Sequence, residues 1–225
     1  MSALVLGATG LCGSFLLKNA VSSNKFSEVF TIARRELPAN ADNVKQIIET
    51  DNKKWGKLFP EYGIKVYFSS LGTTRAAAGS MDNFYKIDHD LNIEMAKAAK
   101  EKGCTTMVLV SSIGANENSM FPYLKVKGDI EKDILALNFD HTIILRPGVL
   151  LGRQEKRRFT ESIVSKLGSA IYGTPLQSLM GHPVYGEDVG KVGVDLALQS
   201  VAPGAKFDKV KIVSSAEIIN LASKI

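Results

Sequence analysis

The sequence predicts an α/β protein built on a doubly wound parallel sheet with helices on both faces. Three observations predict it: apolar runs of strand length recur along the 225 residues, polar segments with helical spacing separate them, and the runs are nearly continuous in Val, Ile and Leu. Alternation of runs and helical segments makes βαβ units. Strands with almost no polar positions are strands covered on both faces. A chain of this length with 45% hydrophobic residues fits one domain with its own core.

In chain order, the first strand is ALVLG (3–7), followed by the helical segment LCGSFLLKNAVSS. VFTIA (29–33) and VKQII (44–48) are the next two strands, rich in β-branched residues. KVYFSS (65–70) is the fourth, and the stretch from Met81 to Lys102 carries Leu, Ala, Lys and Glu at helical spacing. TMVLVSS (106–112) then leads to the helical LKVKGDIEKDILALN, and HTIILRP (141–147) follows. The last strand, KVKIVS (209–214), runs into Ser214 with Glu217 three residues later, a capping box that opens a C-terminal helix. From about Gln154 to Gly181 the pattern is irregular, with the basic cluster RQEKRR and several glycines and prolines. This segment reads as a small cap inserted over one end of the sheet.

Charge and cysteine content exclude several function classes. The net charge of +5 comes from lysines scattered along the chain, not from a basic stripe, so no nucleic-acid partner is expected. Cys12 and Cys104 lie far apart without metal-ligand spacing, which fits a reducing compartment and no disulfide framework. The apolar N-terminus lacks a basic n-region and has no arginine before Arg34, so neither a secretory signal nor an Arg-rich transit peptide is expected. No run is long and apolar enough for a membrane span, and the chain reads as soluble or peripherally attached.

The first strand feeds GATGLCG, with glycines at 7, 10 and 13, and then a helix. A strand, a glycine-rich turn and a helix N-terminus form a seat for a dinucleotide pyrophosphate: backbone approaches the phosphates, and free N–H groups with the positive end of the helix dipole face them. A tight turn without a ligand is the plainer alternative. Cys12 within the turn is read as a small residue facing cofactor or core. Arg34 and Arg35 end the second strand, beside the adenosine ribose in such a fold, where arginine suits the 2′-phosphate of NADP and an acidic residue the free hydroxyl of NAD. NADP is therefore the expected cofactor, and the adjacent Glu36 keeps NAD as the alternative.

SSIGA (111–115) ends the fifth strand, and YLKVK (123–127) follows it. Tyr123 and Lys127, at i and i+4, share one helix face. A lysine cation there eases proton loss from the phenol, so that Tyr123 can pass a proton to or from a substrate oxygen. A serine at the strand end would hold that oxygen. Ser112, before an apolar residue and glycine, is favoured, with Ser111 as the alternative. His89 is read on a polar helix face, His141 at the opening of a buried strand, and His182 as either a pocket residue or a loop histidine. No pair of these has zinc spacing, and no metal is expected. Arg153, Lys156, Arg157 and Arg158 could meet anionic lipid headgroups or stand in solvent.

GATGLCG, the strand-end ARR, LGTTRAAAG (71–79), KIDHDLN, EKGC, VSSIGA, YLKVKG, ILRPGVLLG (144–152) and GHPVYGEDVGKVGVDLAL together resemble the atypical short-chain dehydrogenase/reductases. Within them the chain most resembles the Tat-interacting-protein (CC3-like) group and its fungal mitochondrial outer-membrane branch. The resemblance covers nearly the whole chain. It implies a single-domain, Rossmann-like, doubly wound parallel sheet of about seven strands over residues 1–225, with 154–181 as the substrate-side cap. It implies NADPH bound by Gly7, Thr9, Gly10, Leu11, Cys12 and Gly13 at the phosphates and by Arg34 and Arg35 at the 2′-phosphate. It further implies Asp51 near adenine, Leu71, Gly72, Thr73 and Thr74 beside the ribose, and Pro147 with Gly148 near nicotinamide. Tyr123, Lys127 and Ser112 match the active residues, with Tyr123 and Lys127 also holding cofactor. The implied activity is an oxidoreductase acting on a carbonyl or alcohol, peripheral on the cytosolic face of the mitochondrial outer membrane, with a cytoplasmic location as the alternative. A nucleotide-binding regulator or scaffold without turnover is the rival reading.

Overall fold

Strand β1 (Ser2–Leu6) is buried at all five positions and pairs on both edges, in parallel, with β2 (Glu28–Ala33) and β4 (Ile64–Ser69). Around it the computed structural model, which describes residues 1–38, 41–61, 63–152 and 181–225, forms one sheet of seven strands. The outer strands are β3 (Val44–Ile48) beyond β2, then β5 (Thr106–Val110), β6 (His141–Arg146) and β9 (Val210–Ser214) beyond β4. All six pairings are parallel, giving the order β3-β2-β1-β4-β5-β6-β9. A separate two-stranded parallel pair joins β7 (Leu150–Leu151) to β8 (Val184–Tyr185). The expected doubly wound, Rossmann-like sheet is thus present; the expected cap at 154–181 lies outside the described residues apart from its last, Gly181.

Alternation along β1 sends Ala3 and Val5 to one face and Leu4 and Leu6 to the other, and each pair enters a different apolar core. The first core is closed by α1 (Leu11–Ser22), α6 (Gly186–Ser200) and α7 (Ser215–Ala222). The second is closed by the 3₁₀ helix Asn52–Leu58, α3 (Met81–Tyr85), α4 (Leu91–Glu101) and α5 (Pro122–Ala136). The short α2 (Arg75–Ala78) connects β4 to this layer. Burial of both faces explains why the inner strands carry so few polar residues, while the edge strands β3 and β9, mostly half-buried or exposed, carry lysines. At the C-terminus the expected cap forms, with the Glu217 amide donating to Ser214 Oγ at 3.3 Å.

Two features departed from the sequence reading. Helix α6 is not among the helical segments read from the sequence, and Gly186, Gly190 and Gly193 lie within it. A Cβ at Gly190 would stand 2.6 Å from the backbone and Cβ of Phe15, so glycine there permits close contact of α6 with α1 and is not a loop signal. His89, expected on a polar face, is 8% exposed, because the chain between α3 and α4 takes one π turn, Lys86–Asp90. A π turn is wider than an α turn and shifts side chains off the 3.6-residue period, so that Asp88 and His89 are both buried.

Candidate functional site

The chain leaves β1 outward to β2 and β3, then returns to β4 on the other side, so the crevice beyond the carboxyl ends of β1 and β4 is a topological switch point. The glycine turn lies there. Gly7 has a φ of +79°, and a Cβ on it would be 2.7 Å from the Leu71 amide nitrogen and the Ser70 carbonyl carbon. A Cβ on Gly13 would be 2.1 Å from the Gly7 carbonyl oxygen and 2.5 Å from Ser70 Oγ. Both glycines are therefore required by close packing, and they fold the turn against the end of β4. The Gly10 amide donates to the Gly7 carbonyl at 2.9 Å, and Gly10 caps α1 with no side-chain bond to the helix. The α1 N-terminus, flanked by exposed Thr9 and Gly10 with Leu11 half-buried and Cys12 buried, has the form of an anion seat.

Arg34 and Arg35 follow directly on β2, both exposed, and neither makes an ion pair or hydrogen bond among the described residues. Two guanidiniums one strand away from the turn thus provide positive charge without a counter-ion among the described residues. Asp51, past β3, is exposed and caps the 3₁₀ helix by accepting from the Lys53 amide at 3.1 Å. Its carboxylate is thus engaged locally.

Beyond β4, Ser70 Oγ donates to the Leu6 carbonyl at 3.0 Å, pinning β4 to the glycine turn. Leu71 and Gly72 lead to Thr73, whose amide donates to Asp88 Oδ2 at 2.7 Å, and to Thr74, whose hydroxyl caps α2 at the Ala77 amide. The other oxygen of Asp88 accepts from Lys127 Nζ at 2.9 Å. Their side chains are only 1% and 7% exposed, so the pair is buried. Lys127, read in the sequence as a cation on the helix face of Tyr123, has its charge compensated by Asp88. Its Nζ lies 5.9 Å from the Tyr123 ring centroid.

Tyr123, in the first turn of α5 behind Pro122, is 46% exposed and packs its ring 6.0 Å from that of Phe84. The structure separates the two serines. Ser111 is buried and donates to Glu131 Oε1, while Glu131 holds Arg146 in a two-pronged bond through Nε at 3.0 Å and Nη2. This hydrogen bonding raises the guanidinium's pKa. Ser112 is only half-buried, and its Oγ makes a single long contact, 3.3 Å, to the Ile113 carbonyl. Ser112 is therefore the serine with a hydroxyl to spare, and Ser111 is part of a buried tie joining β5, α5 and β6.

The Pro147 carbonyl accepts the Ile113 amide at 2.9 Å, which sets Pro147 and Gly148 beside the serine turn. The Gly148 amide donates to Ser215 Oγ at 2.9 Å, and that hydroxyl donates on to the His182 carbonyl at 2.6 Å. The basic cluster at 153–158 lies outside the described residues. Sequence reasoning missed Asp88, Glu131 and Arg146. The available signal was spacing: Glu131 stands at i+4 from Lys127 and i+8 from Tyr123, on the same stripe of α5.

A family model described as HIM1 matches residues 22–174. The chain is 53% identical over 222 residues to the protein named FMP52, mitochondrial, of Candida glabrata, covering 98% of this chain and 95% of the relative. It is 51% identical to the Saccharomyces cerevisiae protein of that name, over 100% of this chain and 98% of the relative. Among solved structures it resembles MoeE5 in complex with UDP-glucose and NAD, with a TM-score of 0.67 at 17% identity over 100% of this chain and 81% of that one. It also resembles the Bordetella bronchiseptica enzyme WbmG in complex with NAD, with a TM-score of 0.68 at 15% identity over 99% and 76%. At such identities the two structures speak for the fold alone.

Proposed function

The chain belongs to the HIM1 family, and we propose that it binds NADPH and moves hydride between that cofactor and the carbon of a carbonyl or alcohol. One observation carries the reading: Arg34 and Arg35 stand exposed, with no partner among the described residues, at the end of β2, beside a glycine turn whose two packed glycines leave the α1 N-terminus open. The residues fit a phosphorylated dinucleotide. Backbone N–H groups meet the pyrophosphate and the guanidiniums meet the 2′-phosphate, each charge-assisted bond contributing up to about 1.5–3 kcal/mol and less where water screens it. Gly7, Gly10 and Gly13 allow the approach, and Leu71 to Thr74 border the ribose.

Bound NADPH would supply the hydride. Tyr123 would exchange a proton with the substrate oxygen through its phenol, which faces solvent at the start of α5. Ser112 would hold that oxygen with the hydroxyl that its single long contact leaves available. Lys127, fixed by Asp88, would hold the nicotinamide-side ribose. Pro147 and Gly148 would wall the nicotinamide end, and Asp51 would lie at the adenine end. Oxidation of NADPH across a panel of carbonyl compounds tests this: turnover on an accepted substrate should fall at least about 100-fold in Tyr123→Phe, the scale of general acid–base catalysis. Full turnover in that variant would remove Tyr123 from the mechanism.

A second reading, an NADPH-binding regulator or scaffold without turnover, is favoured by the compensated charge of Lys127, which suits holding as well as chemistry. Its signature is nucleotide binding with no Tyr123-dependent oxidation of any carbonyl. We place the protein in the Tat-interacting-protein (CC3-like) branch of the short-chain dehydrogenase/reductases, peripheral on the cytosolic face of the mitochondrial outer membrane. The mitochondrial names of its relatives support the organelle, and no helix among the described residues is long and apolar enough to cross a membrane. Release of the protein from purified mitochondria by a carbonate wash is expected.

A further inference from the structure

The segment leading from the end of β5 into α5 carries both residues proposed above to meet the substrate oxygen, Ser112 at its start and Tyr123 at its close. Among the large apolar side chains of the described residues, Met120 and Phe121 are the most exposed, at 94% and 70%, and Ile113 on the same segment is exposed as well. Apolar side chains left open together in this way mark a binding surface. Phe121 also occupies the N-cap of α5, a position where Ser, Thr, Asn or Asp would bond a helix amide; it makes no such bond, and Pro122 follows it. Neither the core nor the helix accounts for this phenylalanine.

The backbone beneath these side chains is firmly held. The Asn116 amide donates to the Leu124 carbonyl at 3.1 Å and the Ser119 amide to the Asn116 carbonyl at 3.0 Å, while the Phe121 amide donates to Ser119 Oγ at 3.1 Å. Gly128 of α5 admits the segment closely, since a Cβ there would be 2.1 Å from the Glu117 amide nitrogen. Met120 and Phe121 thus stand on a fixed support. At the other end the Ile113 amide is tied to the Pro147 carbonyl at 2.9 Å, and a Cβ on Gly181 would be 3.3 Å from Ile113 Cδ1, so Ile113 borders the turn proposed to wall the nicotinamide. From Ser112 to Tyr123 only Glu117 carries a charge, and Lys132 pairs with it at 3.0 Å. A phosphate or carboxylate would find no cation on this segment.

We infer that the substrate is a carbonyl or alcohol bearing an apolar chain, its oxygen at Ser112 and Tyr123 and its chain laid along Ile113, Phe121 and Met120. The inference rests on the hydride-transfer reading above, which makes those two hydroxyls the seat of the oxygen. A small hydroxylated substrate would leave the apolar wall in water. A bilayer could also cover Met120 and Phe121, but the continuity of the wall with Ser112 and Tyr123 favours a substrate: ligand sites are apolar surfaces with a few polar groups that fix orientation.

Wild type, the Met120→Ser/Phe121→Ser variant and Phe121→Leu are assayed with NADPH on butanal, hexanal, octanal, decanal and glyceraldehyde, with melting temperature and NADPH affinity recorded alongside. In wild type KM should fall by about twofold per added methylene at nearly constant kcat, because an open wall half-buries the chain and yields about half the free energy of full burial. Decanal should thus exceed butanal by about 50-fold in kcat/KM, and glyceraldehyde should rank no higher than butanal. The double serine variant should flatten the series to within about fivefold, whereas Phe121→Leu, which keeps an apolar surface, should retain most of the slope. Both variants alter exposed side chains and should melt and bind NADPH nearly as wild type does. Calorimetry should show the same order without turnover: decanol should bind wild type at least about tenfold more tightly than hexanol, a gap that the double variant closes. A slope that persists in the double variant would place the chain elsewhere and overturn the inference. Loss of binding to phosphatidylcholine–cardiolipin vesicles in that variant, with the slope intact, would overturn it too and assign Met120 and Phe121 to a membrane. Turnover by wild type without a chain-length preference overturns the inference alone; if wild type oxidises NADPH with none of the aldehydes, the hydride-transfer reading falls and takes the inference with it.

Discussion

Replacing Gly13 with alanine should both destabilise the protein and weaken nucleotide binding. The new Cβ would lie 2.1 Å from the Gly7 carbonyl oxygen, 2.6 Å from its carbon and 2.5 Å from Ser70 Oγ. Ser70 can rotate away at the loss of its bond to the Leu6 carbonyl. The Gly7 carbonyl has no such freedom, because it is backbone and accepts the Gly10 amide at 2.9 Å. Restoring ordinary contact therefore requires α1 to move from the turn by about 1 Å, and overpacking of this kind costs about 1–3 kcal/mol. In a chain of this size that lowers the melting temperature by roughly 2–12 °C. The same shift would move the helix N–H groups off the pyrophosphate, so NADPH affinity should drop by about tenfold or more, the scale of one lost charge-assisted hydrogen bond. Gly10→Ala is the internal control, since its Cβ would meet only the Gly7 oxygen at 3.2 Å and should shift melting by at most a few degrees. Thermal melts and NADPH titrations on both variants check this. If Gly13→Ala melts and binds like wild type, the packed glycine turn does not form as described.

Cys104 makes stability depend on alkaline pH, because burial pushes its thiol up to about 12 from an ordinary value of 9.0. Below about pH 9 both states keep the proton and the contribution is intact; between pH 9 and 12 the unfolded chain loses it first, and stability falls by up to about 1.4 kcal/mol per pH unit. Tyr67, likewise raised by burial, adds to the loss above pH 10. Urea unfolding at pH 8 and 10.5 should show the drop, and Cys104→Ala should flatten it. Thr31 is fully buried with no partner for its Oγ1 among the described residues, so Thr31→Val should raise stability by about 1 kcal/mol, seen as a melting temperature about 2–4 °C higher.

Much of the fold was legible because burial of the inner strands on both faces leaves a plain mark, and all seven strands of the sheet coincide with strand-length runs separated by helical spacing. Helix α6 was not legible, because glycines chosen for close approach to α1 imitate a loop. The glycine turn and the two arginines were read from their positions after β1 and β2, which the structure reproduces. Asp88 drew no reading and His89 was read on the wrong face, because a single π turn breaks the periodicity from which a helix face is inferred. The choice between Ser111 and Ser112 also needed coordinates. The two are adjacent at a strand end, and only the buried Glu131–Arg146 pair shows which hydroxyl is already committed.

The claim that Arg34 and Arg35 await a 2′-phosphate is settled by titrating wild type and the Arg34→Ala/Arg35→Ala variant with NADPH and NADH in parallel. Wild type should bind NADPH at least about tenfold more tightly than NADH, the equivalent of about 1.4 kcal/mol, and the double variant should bind NADPH only as well as NADH. Equal affinity of wild type for the two nucleotides, unchanged when both arginines are removed, would contradict the account.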